Sequence, residues 1–199
     1  MIIKFIPENE EAIELLDNIQ NFGEIFSEEN NEFKFKFKQG NNYNISNNGL
    51  IALKDGNNGW NCVIVGDKEI PKDKISKWKI KINKDKTDFS NMDIFIGIGP
   101  KIFNSNLYNE CWSIYSKDNG SIIRLQLKDN QLDYNNHKEK LKEGDIIQVI
   151  VDRKKGSLSF AVNDVDFGIA CSTIPKEDEL FPTIILYEKG LKVEIIKNI

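Results

Sequence analysis

Hydrophobic and polar residues alternate with a period of two through most of the chain beyond residue 32. The segment 33–38, for example, carries phenylalanine at each odd position and lysine at each even position. This period is typical of β-strands that bury one face. Similar runs occur at about residues 50–53, 60–65, 77–83, 93–98, 111–116, 121–128, 182–187 and 191–197, with Asn, Asp, Gly and Lys between them. Many short strands separated by turns predict an all-β fold, a two-layer antiparallel β-sandwich.

Three more strands are predicted between residues 144 and 170. Apolar side chains alternate with small or polar ones along residues 157–162, so one face is suited to a core. Turn residues separate the runs at Asp152–Gly156 and at Asn163–Asp164. The pattern predicts a three-stranded antiparallel meander that contains no reactive group.

The N-terminal segment has a different, helical period. Residues 2–6 form an expected short strand, and Pro7 suits the first position of a helix. A helix is predicted over about residues 8–21, with one apolar face formed by Ala12, Leu15, Leu16, Ile19 and Phe22. We therefore expect residues 1–31 to pack on a sandwich formed by residues 32–199. Contact of this helix with a partner or a second copy is the alternative.

Four segments, taken in order, resemble motifs of the SPRY domain (B30.2-like) family. The meander at 144–170 resembles its C-terminal signature, and Trp-Lys-Ile-Lys-Ile at 78–82 resembles its Trp-Glu-Val strand. Ile-Gly-Ile at 96–98 and Leu-Phe-Pro at 180–182 resemble its Val-Gly-Val and Leu-Tyr-Pro segments. The chain departs from the family pattern in having Asn163-Asp164 in place of Asn-Gly. It also has no glycine just before the first Trp strand, at residues 73–76.

This resemblance implies a concanavalin-like SPRY sandwich that acts as a non-catalytic protein-interaction module of the adaptor type. The segment 111–116 resembles a SPRY strand whose first aromatic residue is buried and whose later aromatic position lines the partner surface. By that resemblance Trp112 belongs to the core and Tyr115 to the binding surface. Residues 185–190 contain Tyr187 but lack the Trp-Gly contact of some peptide-binding relatives. Their Asn-rich peptide ligand is therefore not expected.

The bulk composition narrows the range of partners and compartments. A formal net charge of −4 over 199 residues argues against a dedicated nucleic-acid binder and against a basic membrane-surface protein. Three scattered cysteines form no Cys-x-x-Cys pair and are expected to be buried thiols in a reducing compartment. No apolar run suits a signal peptide or a membrane span. We predict a cytoplasmic location and favour a monomer.

Catalytic and metal-binding chemistry find little support in the residues. The single histidine, His137, lies in a polar loop, and no serine stands in a Gly-x-Ser-x-Gly turn. The acidic residues near the turns lack the spacing of a calcium loop, and no phosphate-binding loop is present. We expect no metal and no cofactor. A carbohydrate-binding, lectin-like sandwich is the alternative function, and a hydrolase built on loop carboxylates is a third.

The remaining candidates for function are loops at one end of the sandwich. We predict that a partner's peptide or loop contacts Asp55, Asn57, Asn58, Tyr108 and Tyr115. Asn and Asp side chains would bond to the partner's backbone, and the tyrosines would supply apolar area. Trp60, which follows the Gly56–Gly59 turn, fits either the core or the surface.

Overall fold

The computed structural model of the protein describes residues 33–40, 42–84, 93–104, 110–116, 122–126, 130–133 and 141–197. The predicted N-terminal strand and helix lie outside the described residues, as do His137 and Tyr108. No helix in the described part of the chain is both long and apolar enough to cross a bilayer.

The described residues form fourteen strands and one short 3-10 turn at Asn47–Gly49. The strands are β1 (Phe35–Gln39), β2 (Tyr43–Ser46), β3 (Ile51–Lys54), β4 (Val63–Gly66), β5 (Ile75–Lys84), β6 (Ile94–Gly99), β7 (Trp112–Ser116), β8 (Ile122–Gln126), β9 (Asn130–Asp133), β10 (Ile146–Asp152), β11 (Ser157–Val162), β12 (Val165–Cys171), β13 (Phe181–Leu186) and β14 (Leu191–Ile196).

The strands make two seven-stranded sheets in which every neighbouring pair is antiparallel. The first sheet has the order β1-β4-β13-β6-β7-β8-β9, and the second has the order β12-β11-β10-β5-β14-β3-β2. The predicted meander is the run β10, β11 and β12 at one side of the second sheet. The predicted all-β sandwich is thus confirmed.

The core lies between the two sheets and is built from the inward-facing half of each alternating strand. Along β5, for instance, Trp78, Ile80 and Ile82 are buried, while the lysines between them face outward. Trp112 is also buried in this core, as the family resemblance implied. All three cysteines are buried, which confirms the expectation for their side chains.

The first sheet carries a second apolar layer on its outer face. Strands β4 and β13 are buried along their whole length, so they contact apolar residues on both sides. The outer layer consists of Val63, Val65, Phe95, Phe103, Cys111, Phe181 and Ile185, with Trp60 and Tyr115 packed against it. This second layer matters because the candidate site lies at one of its ends.

The turns of the meander explain the signature residues. Gly156 has a φ of 75°, and its N–H donates to the Asp152 carbonyl at 2.8 Å. Asn163 and Asp164 have φ values of 50° and 64°, which is the left-handed geometry of a tight hairpin. The Asn163 side chain accepts a hydrogen bond from the Ile146 N–H at 2.9 Å, so it also holds the start of β10.

One end of the sandwich is held by a fully buried arginine. Arg153 follows β10, is 0% exposed and donates to the carbonyls of Ile70, Lys176 and Asp178 at 3.4, 2.8 and 2.6 Å. Its guanidinium group therefore fastens two separate loops to the turn between β10 and β11.

Candidate functional site

Two connections cross between the sheets side by side, at the end of the sandwich opposite Arg153. The loop of residues 55–61 joins β3 in the second sheet to β4 in the first, and the turn of residues 187–190 returns from β13 to β14. Because β3 pairs with β14 and β4 pairs with β13, the two connections are brought into contact. We call them the 55–61 loop and the 187–190 turn.

Backbone and side-chain hydrogen bonds join these two connections. The Gly59 N–H donates to the Tyr187 carbonyl at 2.9 Å, and the Gly190 N–H donates to the Lys54 carbonyl at 2.8 Å. The Lys189 N–H donates to the Asn58 side-chain oxygen at 2.9 Å. The loop and the turn therefore form one hydrogen-bonded unit, although their residues are more than a hundred positions apart in sequence.

Four aromatic rings meet beside this unit. Tyr115 of β7 stacks on Phe95 of β6, with ring centroids 4.3 Å apart and an interplanar angle of 20°. The Trp60 ring packs edge-on against Phe95 at 4.7 Å and lies 5.8 Å from Tyr115. Tyr187 is tilted against Trp60 at 4.9 Å. We call Trp60, Phe95, Tyr115 and Tyr187 the aromatic cluster.

The aromatic cluster is ordered by its own contacts and is still partly open to solvent. Phe95 is buried, whereas Trp60, Tyr115 and Tyr187 are each half-buried. Edge-to-face and stacked pairs of this kind each contribute about 0.5–1.5 kcal/mol beyond the burial of their area. Three rings are thus held in place while part of their surface stays available for contact.

A fully buried lysine supports the 55–61 loop from beneath. Lys54 is 0% exposed, and its ammonium group donates to the Gly59 carbonyl and to the Asn61 side-chain oxygen, each at 3.0 Å. The same group lies 5.1 Å from the centroid of the Tyr43 ring. Burial lowers the pKa of Lys54 below its usual value, and the electrostatic effect of Cys62 and Asp55 opposes that shift.

Tyr43 is itself fixed in the core. Its hydroxyl group lies 3.2 Å from the Cys62 carbonyl and 3.0 Å from the Leu186 carbonyl, and accepts the Leu186 N–H at 2.6 Å. Desolvation raises the pKa of this phenol, while the backbone hydrogen bond from Leu186 acts against the rise. Tyr43 therefore stays a neutral hydroxyl that joins β2 to the strands on either side of the site.

Four of the five predicted site residues lie in the described part of the chain. Asp55, Asn57 and Asn58 are exposed on the 55–61 loop, and Tyr115 lies in the aromatic cluster. The Asp55 N–H donates to the Asn42 carbonyl at 3.1 Å, so the start of the loop is anchored as well. The structure places Tyr115 5.8 Å from the ring of Trp60, a residue of the same loop as Asp55, Asn57 and Asn58. Tyr108 lies outside the described residues.

Trp60, Tyr187 and Lys54 join the site although they were not among the five predicted site residues. Trp60 fitted either a core or a surface place, and Tyr187 was notable only for standing where relatives have tryptophan. Lys54 directly follows the predicted strand at 50–53 and begins the polar run Lys-Asp-Gly-Asn-Asn-Gly at 54–59, which carries no signal of burial.

The described residues include other ionisable groups at this end of the sandwich and beyond it. Asp93 and Glu188 are buried carboxylic residues at this end, and the Tyr187 N–H donates to the Asp93 carbonyl at 3.0 Å. At the far end of β7, away from the aromatic cluster, desolvation raises the pKa of Cys111 to about 12, which keeps this thiol protonated. Among the described residues, no group of histidine, cysteine or acidic side chains is arranged to hold a metal ion.

Comparison of folds places the chain among known sandwiches. The SPRY domain of human HERC1 matches with a TM-score of 0.62 and 18% identity, covering 83% of this chain and 98% of that one. The PSpry domain of TRIM65 matches with a TM-score of 0.61 and 11% identity, covering 99% and 100%. The NHR domain of Neuralized from Drosophila melanogaster matches with a TM-score of 0.57 and 16% identity, covering 83% and 91%. At these identities the likeness shows the fold alone.

Sequence comparison gives the family. No curated protein matches the chain significantly. The family model described as the SPRY domain matches residues 77–198, which is more than half of the chain. This range begins in β5 and includes the meander and both strands that frame the 187–190 turn. The chain belongs to the SPRY domain family.

Proposed function

We propose that this domain binds a peptide or an exposed loop of another protein at the aromatic cluster and the adjoining 55–61 loop, without catalysis. SPRY domains generally mediate protein–protein interactions and are typically non-catalytic. The observation that carries the proposal is the set of three half-buried rings, Trp60, Tyr115 and Tyr187, ordered before any partner arrives. Tryptophan and tyrosine are enriched among the residues that dominate binding energies at protein interfaces.

The arrangement suggests how the binding energy would be divided. An apolar side chain of the partner would cover the rings, whose tyrosines have few rotatable bonds to restrict. The exposed amide of Asn57 and carboxylate of Asp55 would bond to the partner's backbone at the margin of this contact. Ring burial would then supply most of the affinity, and the loop residues would set the register of the peptide.

The test is an affinity measurement with a partner recovered by pull-down from the native cell. We expect Trp60→Ala or Tyr115→Ala to weaken binding by about tenfold or more, since such anchors typically contribute over about 1.4 kcal/mol. Asn57→Ala should weaken it by only a few fold. Ile75→Ala is the matched control, because Ile75 is exposed at the opposite end of the sandwich. Unchanged affinity in both aromatic variants would remove the proposed site.

Carbohydrate binding is the second candidate function. It is favoured by the same half-buried rings beside exposed asparagine amides, a combination that also suits the faces and hydroxyls of a sugar. A glycan array with the wild-type protein and Trp60→Ala separates the two functions. Selective sugar binding that Trp60→Ala abolishes, with no protein partner recovered, would replace the protein-binding proposal.

A hydrolytic activity would depend on the buried carboxylates of Asp93 and Glu188, since glycoside hydrolysis requires two such groups. Turnover of a sugar substrate that Glu188→Gln abolishes would contradict the non-catalytic proposal. The predicted cytoplasmic location also stays part of the proposal. The burial of all three cysteines fits a reducing compartment, and localisation of the tagged full chain in cells tests it.

A further inference from the structure

We propose that Lys54 is the positioning residue of the binding site, because its buried ammonium group holds the two residues that flank Trp60, the backbone carbonyl of Gly59 and the side-chain oxygen of Asn61. This inference rests on the proposed function for its biological meaning, although its structural part is tested without any partner. The two hydrogen-bond acceptors of Lys54 belong to Gly59 and Asn61, the residues immediately before and after Trp60. Lys54 therefore fixes the position of Trp60 through hydrogen bonds to its two neighbours.

The 55–61 loop needs the hydrogen bonds from Lys54 because its own sequence gives it little rigidity. Gly56 and Gly59 are two of its seven residues, and Gly59 has a φ of 143°. Glycine has access to many backbone conformations, so an unsupported loop of this composition would sample many positions. A mobile Trp60 would lose conformational entropy when a partner binds, which weakens binding, whereas a Trp60 that is already fixed loses little.

Lys54 can hold the loop in place because Lys54 itself belongs to a rigid element. It is the last residue of β3, and its carbonyl accepts the Gly190 N–H from the 187–190 turn. Its ammonium group lies against the Tyr43 ring, whose hydroxyl contacts the Cys62 and Leu186 backbone. Gly59 is consequently fixed from two directions, with its carbonyl held by Lys54 and its N–H bonded to Tyr187.

The burial of this charge also argues for a positioning role. Removing an ammonium group from water costs free energy, and an apolar side chain of similar length would avoid that cost. Stability alone would therefore favour methionine at this position. What methionine cannot supply is directed hydrogen bonding to the Gly59 carbonyl and to the Asn61 side-chain oxygen. The arrangement is explained if the position of Trp60 matters more than the free energy lost.

The test follows Trp60 directly by fluorine NMR of the protein labelled with fluorotryptophan. The chain has three tryptophans, and Trp78 and Trp112 are buried in the core, so their resonances report on the intact fold. Lys54→Met should shift or broaden the Trp60 resonance and leave the other two unchanged. Because Lys54 is buried, the exposed Asn61 supplies a second variant that does not endanger folding.

Asn61→Ala removes one of the two acceptors and should give an intermediate change at Trp60. Asn61→Asp keeps an oxygen acceptor for Lys54 and should restore the resonance relative to Asn61→Ala. The affinity for the partner should fall by about tenfold in Lys54→Met and follow the same order in the Asn61 variants. If Lys54 only stabilised the fold, Asn61→Ala and Asn61→Asp variants of equal thermal stability would not differ in the Trp60 resonance or in affinity for the partner.

The outcomes separate this inference from the proposed function. An unchanged Trp60 resonance in Lys54→Met and in Asn61→Ala overturns the inference and leaves the proposed function standing. A displaced Trp60 with unchanged affinity for the partner overturns the proposed site, and with it the binding role of Lys54. A displaced Trp60 with graded loss of affinity supports both.

Discussion

Gly97 lies in the middle of β6, and substitution by alanine should separate β6 from β7. A Cβ atom built at Gly97 would lie 2.0 Å from the Trp112 carbonyl oxygen and 2.6 Å from the Ser113 Cα atom. Real Cβ atoms essentially never approach other atoms within 3.0 Å, so the neighbouring backbone must move by about 1 Å. Backbone offers no rotamer by which to escape, unlike a flexible side chain.

The magnitude follows from what that movement breaks. An N–H···O bond of about 2.9 Å that is stretched by about 1 Å no longer meets hydrogen-bond geometry. Losing two such bonds costs about 1 kcal/mol each. Overpacking strain adds about 1–3 kcal/mol. We therefore expect Gly97→Ala to lower the free energy of unfolding by about 3–5 kcal/mol, a large part of the 5–15 kcal/mol typical of a domain.

The assay is urea unfolding followed by circular dichroism, with Gly144→Ala as the control. Gly144 has a φ of 89° and nothing within 4 Å of its built Cβ atom, so alanine there meets backbone strain but no clash. That strain should cost about 1–2 kcal/mol. If Gly97→Ala costs no more than Gly144→Ala, steric exclusion is not the reason for glycine at this place. The clash would also disturb the pairing of Phe95 with Tyr115, so partner affinity should fall too.

Four further predictions concern the turns and the buried cations. Asn163→Ala should cost about 2 kcal/mol in urea unfolding, since a left-handed residue and a backbone hydrogen bond are both affected. Asp164→Gly in the same turn should stay within about 0.5 kcal/mol of wild type, because relief of strain offsets an exposed ion pair, and a larger loss would contradict this balance. Arg153→Met should cost at least about 2 kcal/mol and open residues 176–179 to limited proteolysis, whereas the exposed Lys154→Met should do neither. The pKa of Lys54 is lower in the folded protein than in the unfolded chain, so between these two pKa values the unfolded chain binds more protons. The free energy of unfolding of the wild type, relative to that of Lys54→Met, should therefore rise as the pH increases through that range. A difference that does not change with pH would contradict this prediction.

The sandwich could be predicted largely because alternation reports burial on one face. Strand β5 was predicted at 77–83 and observed at Ile75–Lys84, and the meander strands fell where their turns required. Strands β2 and β9 were not predicted, since Tyr-Asn-Ile-Ser and Asn-Gln-Leu-Asp are short and mostly polar. Such segments become strands because a neighbouring strand satisfies their backbone groups, which is a tertiary effect.

The candidate site was less accessible from sequence because it depends on contacts between distant segments. Tyr115 was found through a family resemblance, and the loop residues were found through their composition. Trp60 and Tyr187 meet only because two crossings between the sheets lie side by side, and no local pattern encodes that neighbourhood. The burial of Lys54 could not be predicted for the same reason. It arises only when the following loop folds back over Lys54, and no local pattern encodes that contact.

At each end of the sandwich a buried cationic side chain holds a loop by hydrogen bonds to backbone carbonyls. Arg153 donates to loop carbonyls at one end, and Lys54 donates to the Gly59 carbonyl at the other. Ordered loops are therefore present at both ends, so order by itself does not mark the binding site. The segment held by Arg153 exposes the charged residues 176–179, which stay hydrated at little cost. The segment held by Lys54 presents Trp60 beside two half-buried tyrosines, and this apolar surface gains free energy only when another molecule covers it.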